Sequence, residues 1–329
     1  MVSQSLTVRR DAHDADVMPS YTLRQLEYFV AVAEAGTVTA AAERVHLSQS
    51  AMSTALADLE RALGVQLVMR HHARGITLTA AGSTLLAEVR QLMRQADDVQ
   101  LLAAHLVGEV TGRLAFGCFA ILAPYVLPEL LTAVATALPG LTLDTTEEPL
   151  DRLTAGVADG RLELALGYDL GLDPTLDTEL LFTVAPHVVL PVGHHLAGRR
   201  TIALSDVADE PMVLLDLPHS RDYFARLFAA SGVQPDIRHR THSAELARAV
   251  VARGVGYTVL NMGPPGGVSL EGRPYAVVPL AVPLPPAESD LRVVLVSAPA
   301  VARTVRAQAV ASLCHTSLPT SAVPNLRVE

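Results

Sequence analysis

The sequence predicts an α/β protein in three parts: an N-terminal winged helix-turn-helix, a long linker helix, and a layered domain in two lobes. Three observations predict it. Residues 37–64 hold two short helical patterns joined by a tight turn. Residues 80–108 carry an unbroken heptad seam. From Gly112 onward, apolar runs of strand length alternate with helical periods, the pattern of α/β layers.

Residues 1–20 mix Arg and Asp with no apolar run and read as a flexible extension, not a secretory signal. The winged domain spans 21–79. Leu26, Phe29, Val30 and Ala33 follow helical spacing until Gly36 stops the first helix. Thr37 caps a second helix over 38–45, and His46-Leu47 is the turn. Ser48 caps a third helix, in which Met52, Leu56, Leu59 and Leu63 form one buried stripe and Gly64 ends it. Two short strands follow, "VQLVM" (65–69) and "GITLT" (75–79), with "RHHAR" (70–74) as a protruding turn.

In the linker helix, 80–108, Leu85, Val89, Leu92, Ala96, Val99, Ala103 and Leu106 are spaced 4-3-4-3-4-3. That is an a/d seam, and the partner it predicts is the same helix of a second subunit. The other reading is a helix lying on its own domain. The layered domain spans 112–313. Its strands are "RLAFGC", "LTLDTT", "LELALG", "HVVLPV", "MVLLD", "DIRHRT", "VGYTVL", "YAVVPL" and "RVVLVS"; helices fall near 124–138, 149–158, 219–231, 243–253 and 300–313. This divides into lobe I (about 112–186 and 287–313) and lobe II (about 187–286), with a cleft between them. Residues 314–329 read as a loose tail.

Composition narrows the function. The chain has 329 residues, half of them apolar, and a net charge of −9, which argues against a protein that coats nucleic acid or anionic membrane. The charge is uneven. Residues 44–79 hold four Arg against two acids, whereas 80–329 hold 18 Arg against 26 acids. A polyanion site therefore belongs near the N-terminus. The longest apolar segment, 118–138, contains Pro124, Pro128 and Glu129, so no membrane span is expected, and two isolated cysteines make no disulfide framework. The expected location is cytoplasmic.

The third helix shows Gln49, Ser50, Ser53 and Thr54 outward where most surface helices carry long charged side chains. Short polar side chains let a helix enter a DNA major groove about 12 Å wide, where Gln can bond adenine twice. Hydroxyls and helix-start amides, from Thr37 and Ser48 onward, serve phosphates. The wing offers Arg70, His72 and Arg74 to the backbone or minor groove. A polar face merely packed on a neighbour is the blander alternative.

Here "LRQLEYFVAVAEAGTVTAAAERVHLSQSAMSTALADLERALGVQLVMR" and "ITLTAAG" resemble the N-terminal domain of LysR-type transcriptional regulators. "GRLAFGCFAILAPYVLPELL", "LTAGVADGRLELAL" and "ARAVVARGVGYTVL" match the family more loosely. The resemblance covers 23–313. It implies a periplasmic-binding-protein-like effector domain of two lobes, a small-molecule effector, double-stranded operator DNA as partner, and assembly as homodimer or homotetramer. The family's groove-facing positions fall on Gln49, Ser50, Ser53 and Thr54 and its wing arginine on Arg74. Ser50 stands where the family commonly has proline and Thr54 where it commonly has arginine, so the bases read need not be those of better-known relatives.

Effector candidates come from strand ends, where α/β folds bind ligands. Cys118, with Phe119 and Ala120 beside it, ends the first strand of the layered domain; Cys118 reads as a cleft residue, a thiol sensor or a small buried side chain. Tyr168 and Asn261 end two others. In "PHSR", Ser220 and Arg221 with nearby amides either hold a carboxylate or phosphate or, in Ser220's case, cap the helix. The acidic balance of this region favours a neutral, cationic or singly carboxylated effector over a highly charged anion.

His239/His242, His71/His72 and His194/His195 lack completing Cys or carboxylate partners, so no metal is expected. No cofactor or catalytic signature is present; "GVGYTV" precedes its strand rather than following it. The alternative reading is an α/β enzyme with Cys118 as nucleophile and an N-terminal assembly segment, for which no base can be named.

Overall fold

The computed structural model describes residues 20–71, 75–105, 110–263, 267–299, 304–318 and 326–327. The N-terminal extension, the wing tip, the end of the linker and most of the tail lie outside them. The chain forms two compact units that divide between residues 93 and 94.

In the N-terminal unit, α1 (Leu23–Ala35), α2 (Val38–Arg44) and α3 (Gln49–Leu63) each begin at a hydroxyl that accepts a first-turn amide. Thr22 takes Gln25 N, Thr37 takes Ala40 N and Ser48 takes Ala51 N, each cap contributing about 1 kcal/mol. Gly36 and Gly64 close α1 and α3 in the left-handed region. Between α2 and α3, His46 takes φ 56, a conformation that His tolerates better than most non-glycine residues. Met52, Leu56 and Leu59 are fully buried against Phe29 and Val32 of α1, worth roughly 2 kcal/mol per side chain.

The wing pairs β1 (Val68–His71) antiparallel with β2 (Gly75–Leu78). Its first strand starts later than "VQLVM" suggests. Glu60 Oε1 accepts from both Leu67 N (2.8 Å) and Val68 N (3.1 Å), which ties this approach to α3 before pairing with β2 begins at Val68. The expected turn correspondingly gives up Arg70 and His71 to β1. Gly75 N-terminal to β2's body packs on the end of α1: a Cβ there would lie 2.5 Å from Gly36 O, the carbonyl that accepts from Ile76 N.

Helix α4 (Ala80–His105) is capped by Thr79, whose hydroxyl accepts from Gly82 N at 2.9 Å. The heptad seam does not run open along it. Leu85 packs on the winged core and Val89 lies in it at 3 % exposure, whereas Leu92 and Val99 are 38 % and 68 % exposed. The seam's first turns are satisfied within the domain, and its last positions, Ala103 and Leu106, have no described side chains.

The second unit contains β3 (Gly112–Phe119), α5 (Ala123–Ala137), β4 (Leu141–Glu148), α6 (Leu150–Ala158), β5 (Leu164–Tyr168), β6 (Asp177–Val184), β7 (His187–Pro191), β8 (Ile202–Ala203), β9 (Pro211–Leu215), α7 (Pro218–Ala230), β10 (Asp236–Thr241), α8 (Ala244–Ala252), β11 (Thr258–Leu260), β12 (Tyr275–Ala281), α9 (Pro286–Ser289), β13 (Leu291–Ser297), α10 (Val305–Ser317) and β14 (Leu326–Arg327). Lobe I is a six-stranded sheet, β14-β6-β13-β5-β3-β4, in which β3 runs parallel to β4 and β5, and β13 antiparallel to β5 and β6. Lobe II combines the sheet β11-β7-β12-β8 with the parallel pair β9 and β10. The chain crosses between lobes after β6 and again after β12.

Three expectations for this unit need correction. Strand β6, "DTELLFTV", was not anticipated: its acids and threonines hide the apolar pattern, yet it pairs along β13. "VGYTVL" supplies only three strand residues. Gly256 turns at φ 67 so close to Pro211 that a Cβ would meet its carbonyl at 1.8 Å, and Tyr257 makes a single bridge to Met212. The tail does not begin at 314, because α10 continues to Ser317 to bury Cys314 in the core and Leu326–Arg327 pairs with β6.

Candidate functional site

On α3, Gln49, Ser50 and Thr54 are exposed and Ser53 is half-buried. Their hydroxyls differ in freedom. Thr54 Oγ1 donates back to Ser50 O at 3.0 Å, and Ser50 Oγ lies 3.1 Å from the capping Ser48 Oγ. Gln49 and Ser53 have no hydrogen-bond partner among the described residues, so both are available to an outside group. Thr37 is exposed while its hydroxyl holds Ala40 N, and Arg70 is exposed on β1. His72 and Arg74 fall outside the described residues.

In the second unit, Phe119, Tyr168 and Ser220 line one small open depression with Pro149, Leu150, Asp151, Leu170, Leu217, Pro218 and His219. The rings of Phe119 and Tyr168 meet edge-to-face with centroids 5.6 Å apart. Both come from carboxyl ends of lobe I strands, and Ser220 comes from the first turn of α7 in lobe II, so the pocket is walled by both lobes. Burial pushes the Tyr168 phenol well above its ordinary range and keeps it neutral. Ser220 is 6 % exposed and caps nothing: α7 begins at Pro218 after Leu217, which makes no side-chain cap bond, and the Ser220 hydroxyl has no partner among the described residues. Sequence reasoning missed Leu150, Asp151 and His219. The signal for the first two was present in Pro149, which starts α6 at the end of β4.

The remaining candidates lie elsewhere. Cys118 is fully buried in the core, and burial first, then the Glu147 charge, raises its thiol far above the ordinary range. Burial pushes Cys314 up to about 12. Of the three readings of Cys118, the structure fits the small buried side chain: neither thiol is accessible or poised as a thiolate in this conformation. Ala120 sits exposed on the turn after β3, its N–H on Glu148 O. Arg221 turns away from the pocket: its Nε donates to Asp216 Oδ1 at 2.5 Å, and with Arg240 on the other oxygen it holds that carboxyl below its usual range. Asn261 spends its amide on the chain itself, Nδ2 donating to Tyr223 Oη at 2.8 Å and to Val184 O at 3.3 Å.

Next to Asn261 lies a buried cation. Arg248, 1 % exposed, pairs with Glu245 and donates to Met262 O, while Tyr125 of lobe I reaches Glu245 at 3.4 Å. Burial, reinforced by Arg248, lowers His187 to about 3.

One histidine pair departs from expectation. The ligand atoms of His194, His195 and Glu210 lie within 4.8 Å of one another. His194 Nδ1, however, accepts from Leu196 N at 3.2 Å, which puts the proton of the neutral ring on Nε2, 2.9 Å from Glu210. A metal on Nε2 would require an imidazolate. The arrangement is a hydrogen bond.

Comparison with known proteins gives these surfaces a context. Residues 23–83 match the family described as bacterial regulatory helix-turn-helix protein, lysR family, and residues 108–319 match the LysR substrate binding domain. A probable hydrogen peroxide-inducible genes activator from Mycobacterium avium is 36 % identical over 248 residues, 73 % of this chain and 77 % of that protein. The crystal structure of HinK, a LysR family transcriptional regulator from Pseudomonas aeruginosa, is 32 % identical, with TM-score 0.60, over 91 % of this chain and 99 % of that one. A full-length OxyR variant from Pseudomonas aeruginosa shares the fold at TM-score 0.72 and 24 % identity, over 91 % and 98 % of the two chains. These relatives are regulators, not enzymes. The chain belongs to the LysR family of transcriptional regulators: it binds DNA through its helix-turn-helix and answers to a small-molecule effector in its two-lobed domain.

Proposed function

We propose that Gln49 and Ser53 read bases, that Thr37, Ser48, Ser50, Thr54 and the wing arginines Arg70 and Arg74, with His72, hold the DNA backbone, and that the effector sits in the pocket of Phe119, Tyr168 and Ser220. The observation that carries the effector reading is that this pocket is walled by both lobes, so a bound molecule favours one lobe arrangement over another. A differential affinity of ~1–3 kcal/mol is enough for a useful response. Leu92 and Val99 on α4 serve a homodimer, and two such dimers a homotetramer. The protein works in the cytoplasm, beside its DNA; no described helix is long and apolar enough to cross a membrane.

Hydrogen peroxide, named in the description of the mycobacterial relative, is a poor candidate for sensing by thiol oxidation here. That chemistry needs an accessible thiolate, and Cys118 and Cys314 are both fully buried with raised pKa values.

A small-molecule screen by thermal shift on the full-length protein tests the pocket. A molecule that raises the melting temperature of the parent should lose that effect in Leu150→Trp, which fills the pocket. Retention of the full shift by the filled variant would place the effector elsewhere.

A further inference from the structure

The lobes are joined on one side of lobe I and touch again on the other. The chain leaves lobe I after β6 and returns to it at β13, and these two strands are neighbours in the six-stranded sheet. Strand β3 lies beyond β5 in the same sheet, two strand spacings or about 10 Å from β13. Helix α5 follows β3, so Tyr125 in its first turn stands on the side away from the crossings.

There Tyr125 meets lobe II. Its phenol donates to Glu245 Oε1 at 3.4 Å, and burial pushes its pKa up to about 12, so it keeps the proton it donates. Glu245, in the first turn of α8, is partly exposed, whereas Arg248, which donates to the same oxygen, is fully buried and fixed from behind by its bond to Met262 O. The lobes also meet where His219 of α7 lies over Gly171, in the loop after β5: a Cβ on that glycine would be 3.1 Å from His219 Nδ1. A buried ion pair is weak evidence for stability, because well-packed apolar residues serve a core as well or better. A buried guanidinium that fixes a partly exposed carboxylate against the opposite lobe therefore does more for the position of that carboxylate than for the core.

We propose that Tyr125, Glu245 and Arg248 form a latch that holds the two lobes closed in the ligand-free protein, with the two crossings as its hinge and Arg248 as the positioning residue. At about 10 Å from the hinge, a rotation of roughly 10° carries Tyr125 about 2 Å, enough to break its bond to Glu245. The latch sets how readily the lobes part. Its loss shifts the ratio of open to closed molecules by the worth of one hydrogen bond to a charged group, about tenfold. The inference rests on the reading that the arrangement of the lobes carries the response to an effector.

The test uses full-length protein with one spin label per lobe, at Ala135→Cys on α5 and Leu270→Cys in lobe II; both sites are exposed, and the native thiols are buried. Labelled subunits are diluted with unlabelled protein, so that pulsed electron resonance reads the distance within one subunit. Tyr125→Phe should raise the ratio of longer to shorter distances about tenfold. Replacing the pair by Glu245→Leu with Arg248→Met should give a similar shift, and Tyr125→Phe added to that background should give no further one. A distance distribution unchanged by Tyr125→Phe, whether or not the melting temperature falls, overturns the latch, as does a further shift in the triple variant. If the lobes part as described but DNA affinity by fluorescence anisotropy stays the same, the latch stands and the reading that lobe arrangement carries the response falls.

Discussion

Asn261 donates to the Tyr223 hydroxyl at 2.8 Å, and Tyr223 in turn donates to Ser289 O at 2.6 Å. With the bond from Asn261 to Val184 O, this links the end of β11 and helix α7 in lobe II to both segments that cross to lobe I. Asn261→Ala leaves buried partners unsatisfied and should cost about 1–3 kcal/mol of effector-domain stability. Tyr223→Phe should cost a similar amount, and the double variant less than the sum of the two. Urea unfolding checks this; strict additivity would mean that the two side chains do not act as a pair.

Both thiols should be inert in the folded protein. Native chain should react with a disulfide reagent only slowly at mildly alkaline pH, whereas guanidinium-unfolded chain should release both cysteines at once. Treatment with hydrogen peroxide should leave DNA affinity unchanged. A fast native reaction, or a peroxide-dependent change in DNA binding abolished by Cys118→Ser, would contradict the buried, neutral state.

Protonation of His187 should destabilise the fold. Its pKa drops from 6.5 to about 3 on folding, chiefly through burial and then through Arg248. Between those values the unfolded chain binds the extra proton, so the contribution to stability is complete above pH 6.5 and is lost as pH falls toward 3. The loss is at most ~1.4 kcal/mol per pH unit. In His187→Gln the melting temperature should therefore fall less steeply between neutral pH and about pH 5. Identical slopes in parent and variant would assign the acid sensitivity to other groups.

The exposed half of the α4 seam should hold subunits together. Leu92→Asp with Val99→Asp places like charges against each other across a two-fold axis and should shift the protein toward smaller species in sedimentation velocity. An unchanged oligomer would move the main contact away from this seam.

What could be read from sequence was what local spacing decides. The stripe Met52, Leu56 and Leu59, the caps Thr37 and Ser48 and the stops at Gly36 and Gly64 all depend on neighbours within one or two turns. Phe119, Tyr168 and Ser220 were legible because strand ends and helix starts are marked locally, and the α/β layout brings such ends to one edge. The partners of Asn261 are 77 and 38 residues away along the chain, so nothing near it signals that its amide is already engaged. Glu60 ending up beneath the first wing strand, and β6 pairing despite its acids, were hidden for the same reason: tertiary contacts override the local pattern.

The central claim is that α3 reads bases through Gln49, and fluorescence anisotropy on DNA from beside the protein's own gene tests it most directly. Parent protein should prefer that duplex to an unrelated one of equal length at the same salt concentration. Gln49→Ala should lose about 1–3 kcal/mol on the preferred duplex and little on the unrelated one, because phosphate contacts remain. Equal weakening on both duplexes, or no weakening on either, would contradict base reading by this helix face.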